Sequence, residues 1–215
     1  MLDKHCIISP HITTQMNYML MYLLISGCGR RSDVVFILDT SGSVEQSFEF
    51  SMRVTRKIVQ GLNFAGGRTR VGLVTFNDRT TVRFHLNQYP DKISVLNAIA
   101  FVQDHGRTNT ANAIDEVRLN MFTSFNGERS GDDNYAIIIT DGRSNMNSQR
   151  TIAAADEARR AHIKMIGVGI GENGRVDRGE LNGIADDPDN QHAFLVQYES
   201  DIDTVASKIL DQICQ

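Results

Sequence analysis

Apolar residues in this chain occur in two alternating patterns. Short continuous runs end at turn residues, and between them lie stretches whose apolar positions recur every three or four residues. The continuous runs are "DVVFILD" (33–39), "RVGLVTF" (70–76), "YAIIITDG" (135–142), "IKMIGVGIG" (163–171) and "HAFLVQ" (192–197). A run of this kind, apolar on both alternating sets, predicts a strand buried on both faces. "TTVRFHL" (80–86) follows "NDR" and reads as a hairpin return, hence an antiparallel edge strand. The periodic stretches predict helices. Val44, Phe48, Met52, Ile58, Val59 and Leu62 mark the first, over 44–62. Others are predicted over 91–102, 111–125, 148–161, 178–185 and 201–213. The pair Gly66–Gly67 breaks the chain between the first helix and the second strand.

Strand–helix alternation of this kind predicts an α/β fold: a doubly wound, mostly parallel six-stranded sheet, one antiparallel edge strand, helices on both faces. Such sheets bind ligands beyond the carboxyl ends of their strands, where the strand order switches. That rule selects the loops after Leu38, Thr140 and Val168.

The first 32 residues stand apart. Met16–Ser26, "MNYMLMYLLIS", has the length of a signal-peptide core and is short for a membrane span of about 20 residues. Few positive charges precede it, Arg30 and Arg31 follow it, and "ISGC" (25–28) has the look of a lipoprotein cleavage box. Residues 1–32 are therefore expected to be a leader outside the fold. A secretion signal is the leading reading, with a signal anchor or lipoprotein leader as alternatives, so any membrane contact would run through it. Residues 33–214 form the expected domain.

Composition adds bounds. Hydrophobic content of 41% and charged content of 22% suit a packed core. A net charge of −4 without a long basic run argues against a nucleic-acid partner. The three cysteines, Cys6, Cys28 and Cys214, lack zinc-site spacing. Cys28 and Cys214 bracket the periodic region. They are either two unrelated thiols or one disulfide joining the ends of the domain, which would imply an oxidising compartment.

The chemistry lies in the turns. "DTSGS" alternates oxygen-bearing side chains at Asp39, Ser41 and Ser43, so all three can converge on one point. "TDG" places Asp141 at another strand end, and "GRTNT" (106–110) brings Thr108 at a helix start. Each segment alone could be a cap or a turn. Together they form an all-oxygen set with few formal charges, which suits a hard divalent cation such as Mg²⁺. An ion so held keeps net positive charge and seeks another anionic oxygen from outside.

The segments "DVVFILDTSGSV", "RVGLVTF", "GRTNTANAI", "AIIITDGRSN", "IGVGIG" and "ELNGIA" occur in the order of the von Willebrand factor type A domain. The chain resembles that family over roughly Asp33 to Cys214, most closely the A domains of matrix proteins such as collagen VI and matrilins. The resemblance implies a metal-ion-dependent adhesion site built from Asp39, Ser41, Ser43, Thr108 and Asp141. Mg²⁺ or Mn²⁺ would be its cofactor. The implied function is a secreted adhesion module of the extracellular matrix, without enzymatic activity. Its partner would be a matrix or cell-surface protein, collagen among them, whose Asp or Glu completes the cation's coordination. The alternative is a metal-independent assembly domain of a collagen VI-like chain. Chemical rivals are weaker. "GIGENG" (169–174) satisfies the dinucleotide glycine pattern but falls late and precedes a polar, broken segment. Ser41 lacks a nucleophile elbow, and no histidine is placed as its base.

Overall fold

Eight consecutive buried residues, Ser32–Asp39, form strand β1, and the rest of the domain is arranged around them. The computed structural model describes residues 30–42, 47–100, 103–141, 143–171 and 176–214. The other strands are β2 (Thr69–Phe76), β3 (Thr80–Phe84), β4 (Asp133–Thr140), β5 (Ile163–Ile170) and β6 (Ala193–Val196). They form one six-stranded sheet in the order β3-β2-β1-β4-β5-β6. Only the β2–β3 pair is antiparallel, with β3 at an edge. The strand order reverses at β1, between β2 and β4, so the crevice lies where Asp39 and Thr140 end their strands.

Side chains alternate across a strand, so β1 feeds two cores. Val34, Phe36 and Leu38 point to one face with helices α1 (Phe48–Gly61) and α7 (Asp201–Ile213), and with Val95 of α2 (Lys92–Ala98). Val35 and Ile37 point to the other, against α3 (Thr110–Glu116), α4 (Ser148–Arg160) and Ile184 of α5 (Arg178–Ile184). Burial of both alternating sets explains why β1 reads as an unbroken apolar run.

Element boundaries shift where local chemistry overrides periodicity. The described part of the first helix starts at Phe48; Val44 lies outside the described residues. Helix α2 starts where Asp91 accepts the Ser94 amide at 3.0 Å, and it ends at Ala98, short of the predicted 102. The helix expected over 111–125 starts one residue early, capped by Asn109, and passes into a π-helical turn over Val117–Met121. The Phe122 amide bonds back to Val117, and the chain then leaves the buried stripe, so Phe125 is 89% exposed. Helix α6 (Asp189–His192) is a single turn, too short to show a period.

At the opposite end of the sheet, Arg129 ties the central strands together. Its backbone amide and Nε donate to the two oxygens of Asp33 at 2.7 and 2.9 Å. Its guanidinium also reaches the Ser32 and Arg68 carbonyls at 2.8 and 3.0 Å. Burial pushes the Asp33 carboxyl's pKa up, against the opposing hydrogen bonds of Arg129. At α7's end, Cys214 is disulfide-bonded, and its partner lies outside the described residues. Among the described residues no helix is long and apolar enough to cross a membrane.

Arg129→Met leaves a buried carboxylate without its cation and should cost about 3–5 kcal/mol at neutral pH. Losing Arg129 raises the Asp33 pKa further. The cost is therefore full above that folded pKa and shrinks as pH falls through it. Urea unfolding of both proteins at neutral and mildly acidic pH measures this; an equal loss at both contradicts it.

Candidate metal centre

Parallel register brings the site together. Leu38 of β1 is paired with Ile139 of β4, so Asp39 and Thr140 follow side by side. Thr140 Oγ1 donates to Asp39 Oδ2 at 2.7 Å, and the Ser41 amide donates to Asp39 Oδ1 at 2.9 Å. Asp141 is the next residue along, and Ser47 Oγ, just before α1, donates to its Oδ2 at 3.0 Å. Asp39, Ser41, Thr108 and Asp141 are all 4% exposed or less.

The loops carrying these residues are bonded to one another. Gly42 N donates to the Gly106 carbonyl at 2.9 Å, and Gln103 Nε2 to the Ser41 carbonyl at 2.8 Å. These bonds join the "DTSGS" loop to the "GRTNT" loop. Thr108 is then bonded to the segment after Asp141. Its amide donates to Asn145 Oδ1 at 2.9 Å, and its carbonyl accepts the Asn145 and Met146 amides at 3.1 and 3.0 Å. Ser144 Oγ adds a third bond to the same carbonyl at 3.2 Å. Three chain segments distant in sequence thus form one hydrogen-bonded rim.

Burial dominates the electrostatics of the site. Burial pushes the Asp39 carboxyl up to about 6. Hydrogen bonds from Ser41 and Thr140 oppose this rise, and the Asp141 charge adds to it. Glu180 of α5 accepts the Ser144 amide at 2.8 Å, and burial raises its pKa too, with Asp177 and Asp39 contributing. Asp39 and Glu180 are therefore carboxylates whose charged form burial disfavours. Among the described residues no three Asp, Glu, His or Cys side chains gather into a metal cage. The donors are hydroxyls plus two aspartates, hard oxygens throughout, and this set fits a Mg²⁺-type ion.

Of the five expected ligands, four are brought to this crevice, and Ser43 lies outside the described residues. Thr110, in the same "GRTNT" segment, is buried and begins α3. Sequence reasoning missed Ser47, Thr140, Gln103, Ser144 and Glu180. Thr140 could have been found by aligning the two strand ends; the others depend on loop packing. Of the "GIGENG" glycines, Gly169 has a packing role. A Cβ on Gly169 would come within 2.6 Å of Val176 and 2.8 Å of Leu195. Glu172, Asn173 and Gly174 lie outside the described residues.

Comparison with known proteins agrees with this architecture. The family model of the von Willebrand factor type A domain matches residues 33–208. The chain is 34% identical over 182 residues to the transmembrane cell adhesion receptor mua-3 of Caenorhabditis elegans, covering 81% of this chain and 5% of that protein. It is 32% identical over 190 residues to matrilin-3 of Gallus gallus, covering 86% of this chain and 41% of that protein. Collagen alpha-4(VI) chain of Mus musculus is 29% identical over 187 residues, covering 85% of this chain and 8% of that protein. The chain thus spans less than half the length of each of these relatives. Among solved structures, proximal thread matrix protein 1 from the mussel byssus superposes with a TM-score of 0.77 at 21% identity, covering 87% of this chain and 49% of that chain. A form of the same mussel protein with a zinc-occupied MIDAS motif gives 0.76 at 23% identity, with the same coverage. At these identities the structural likeness is one of fold.

Protons would compete with the expected cation for Asp39. Below its folded pKa of about 6 the carboxyl must lose a proton to bind metal, so affinity should fall about tenfold per pH unit. Mn²⁺ titration calorimetry at about pH 7.5 and about pH 5 reads this; equal affinity at both contradicts the role of Asp39.

Proposed function

The chain belongs to the von Willebrand factor type A domain family, and from that premise we propose that it is an extracellular binding module acting through a divalent cation. Asp39, Ser41, Ser43, Thr108 and Asp141 would hold the ion. The observation that carries this reading is the convergence of two buried aspartates and their hydroxyls at the switch point of the sheet. When bound, the cation supplies Lewis acidity toward an anionic oxygen of a partner. The protein's own groups position it. Thr140 and the Ser41 amide fix the Asp39 carboxylate, Ser47 fixes Asp141, and the Thr108 rim holds the third segment in place.

Only two aspartates serve the proposed ion, so Mg²⁺ or Mn²⁺ would keep positive charge. A partner Asp or Glu would complete the shell. The relatives support the class of partner: matrilins, collagen VI and a cell adhesion receptor are matrix and adhesion proteins. We therefore place the domain outside the cell, in the matrix, with a matrix or cell-surface protein as partner and collagen among the candidates. We read it as a binder rather than an enzyme. The Ser41 hydroxyl is bonded to Asp39, a carboxylate suited to a cation, and His105 sits on the exposed rim. A second reading, metal-independent assembly, is supported by the protein's own hydrogen bonds to both oxygens of Asp39. Chelator sensitivity separates the two.

We assign Cys28 as the partner of Cys214, since the leader's Cys6 lies far from the domain in sequence. In the chain-entropy model such a bond, closing nearly the whole domain, stabilises by roughly 4–5 kcal/mol.

Asp39→Ala, Ser41→Ala and Asp141→Ala should each abolish Mg²⁺ binding by calorimetry and cation-dependent capture of matrix proteins, while the circular dichroism spectrum is retained. Undiminished Mg²⁺ binding overturns the assignment. For the disulfide, a non-reducing digest should release the Cys28 and Cys214 peptides as one linked species; a Cys6-linked peptide would refute the pairing.

A further inference from the structure

Two arginines stand on the rim of the proposed metal centre. Arg107 directly precedes Thr108, and Arg143 follows Asp141 by two positions. Their side chains are 66% and 70% exposed. Each is paired through Nε: Arg107 with Asp78 Oδ1 at 3.4 Å, and Arg143 with Asp177 Oδ2 at 3.3 Å. Among the described residues the terminal nitrogens of both guanidinium groups make no hydrogen bond. Pairing through Nε orients a guanidinium and leaves its terminal N–H groups available as a fork for a second oxyanion.

The supports are themselves held. Asp78 also accepts the Arg107 amide at 2.7 Å, which fastens it to the loop it pairs with. Asp177 caps α5 by accepting the Glu180 amide at 3.0 Å. The two arginine-bearing loops are joined through Thr108 and Asn145, so both guanidinium groups rise from one connected rim. Both arginines thus stand beside the proposed cation site, each held near one carboxylate and open toward solvent on its other nitrogens.

We propose that Arg107 and Arg143 form a second anionic subsite, so that the preferred partner is an acidic peptide segment with a further carboxylate near the one that meets the cation. This rests on the metal-dependent reading above and adds a ligand class to it. The first carboxylate supplies coordination, and the second accepts charge-assisted hydrogen bonds from the arginines. Such exposed pairs are individually modest, so the gain is selectivity between partners rather than most of the affinity.

The test immobilises synthetic peptides that carry one Glu in a Gly-rich frame, or that Glu plus a second Glu one to four residues away. Binding of the domain is measured in Mn²⁺ and again in excess chelator. The best diacidic peptide should bind about 3- to 10-fold tighter than the monoacidic one. That preference should vanish in the double variant Arg107→Gln/Arg143→Gln and shrink as salt is raised. Chelator-sensitive binding with no diacidic preference overturns the subsite and leaves the metal reading standing. A preference that survives in the double variant overturns the assignment to these arginines. Capture of neither peptide, or capture indifferent to chelator, overturns the metal reading and this inference with it.

Discussion

A carboxylate forced into the interior governs this structure. Asp39 closes the most deeply buried strand of the sheet, where water cannot solvate it, and its affinity for a proton rises accordingly. A side chain that only capped a helix would have no reason to be so placed. The fold answers the penalty with a neighbouring strand's hydroxyl and one backbone amide. These donors orient the carboxylate without neutralising it. A divalent cation would do so, and that is the completion we propose.

The same economy of charge shapes the recognition we propose. With hydroxyls making up much of the shell, an ion would remain electrophilic toward an incoming oxyanion. Glu180 and Asp177 reinforce the rim from behind through the Ser144 amide and the start of α5, so the carboxylates nearby also serve as scaffold. The segments after β1, before α3 and after β4 are hydrogen-bonded to one another, which would limit reorganisation on binding.

The two ends of the sheet divide the work. At the amino end, Arg129 satisfies Asp33 and reaches carbonyls of neighbouring segments, giving a buried charge an internal partner. At the carboxyl end, the comparable buried acid has hydroxyls and an amide, and among the described residues no arginine is bonded to it. The contrast separates a structural ion pair from the site we propose for the cation. The disulfide at Cys214 ties the end of α7 to a point outside the described residues and adds covalent restraint where the helix is attached.

The strand runs, the antiparallel edge and the two-sided cover of helices were legible in the sequence, because burial on both faces writes itself as continuous apolar runs such as "VVFIL". The oxygen donors we propose for the cation could be picked out there too, since alternation in "DTSGS" and an aspartate at a strand end are local signals. The early end of α2, the π-turn at Val117–Met121 and the single-turn helix Asp189–His192 were not, because tertiary packing and isolated hydrogen bonds set them. The same holds for Thr140, Ser47 and the Thr108–Asn145 bonds. Sequence by itself determined which oxygens this protein brings to its loops. Tertiary structure decided which of them meet, because only the parallel register of β1 and β4 and the bonding between loops place atoms a hundred residues apart within hydrogen-bonding distance.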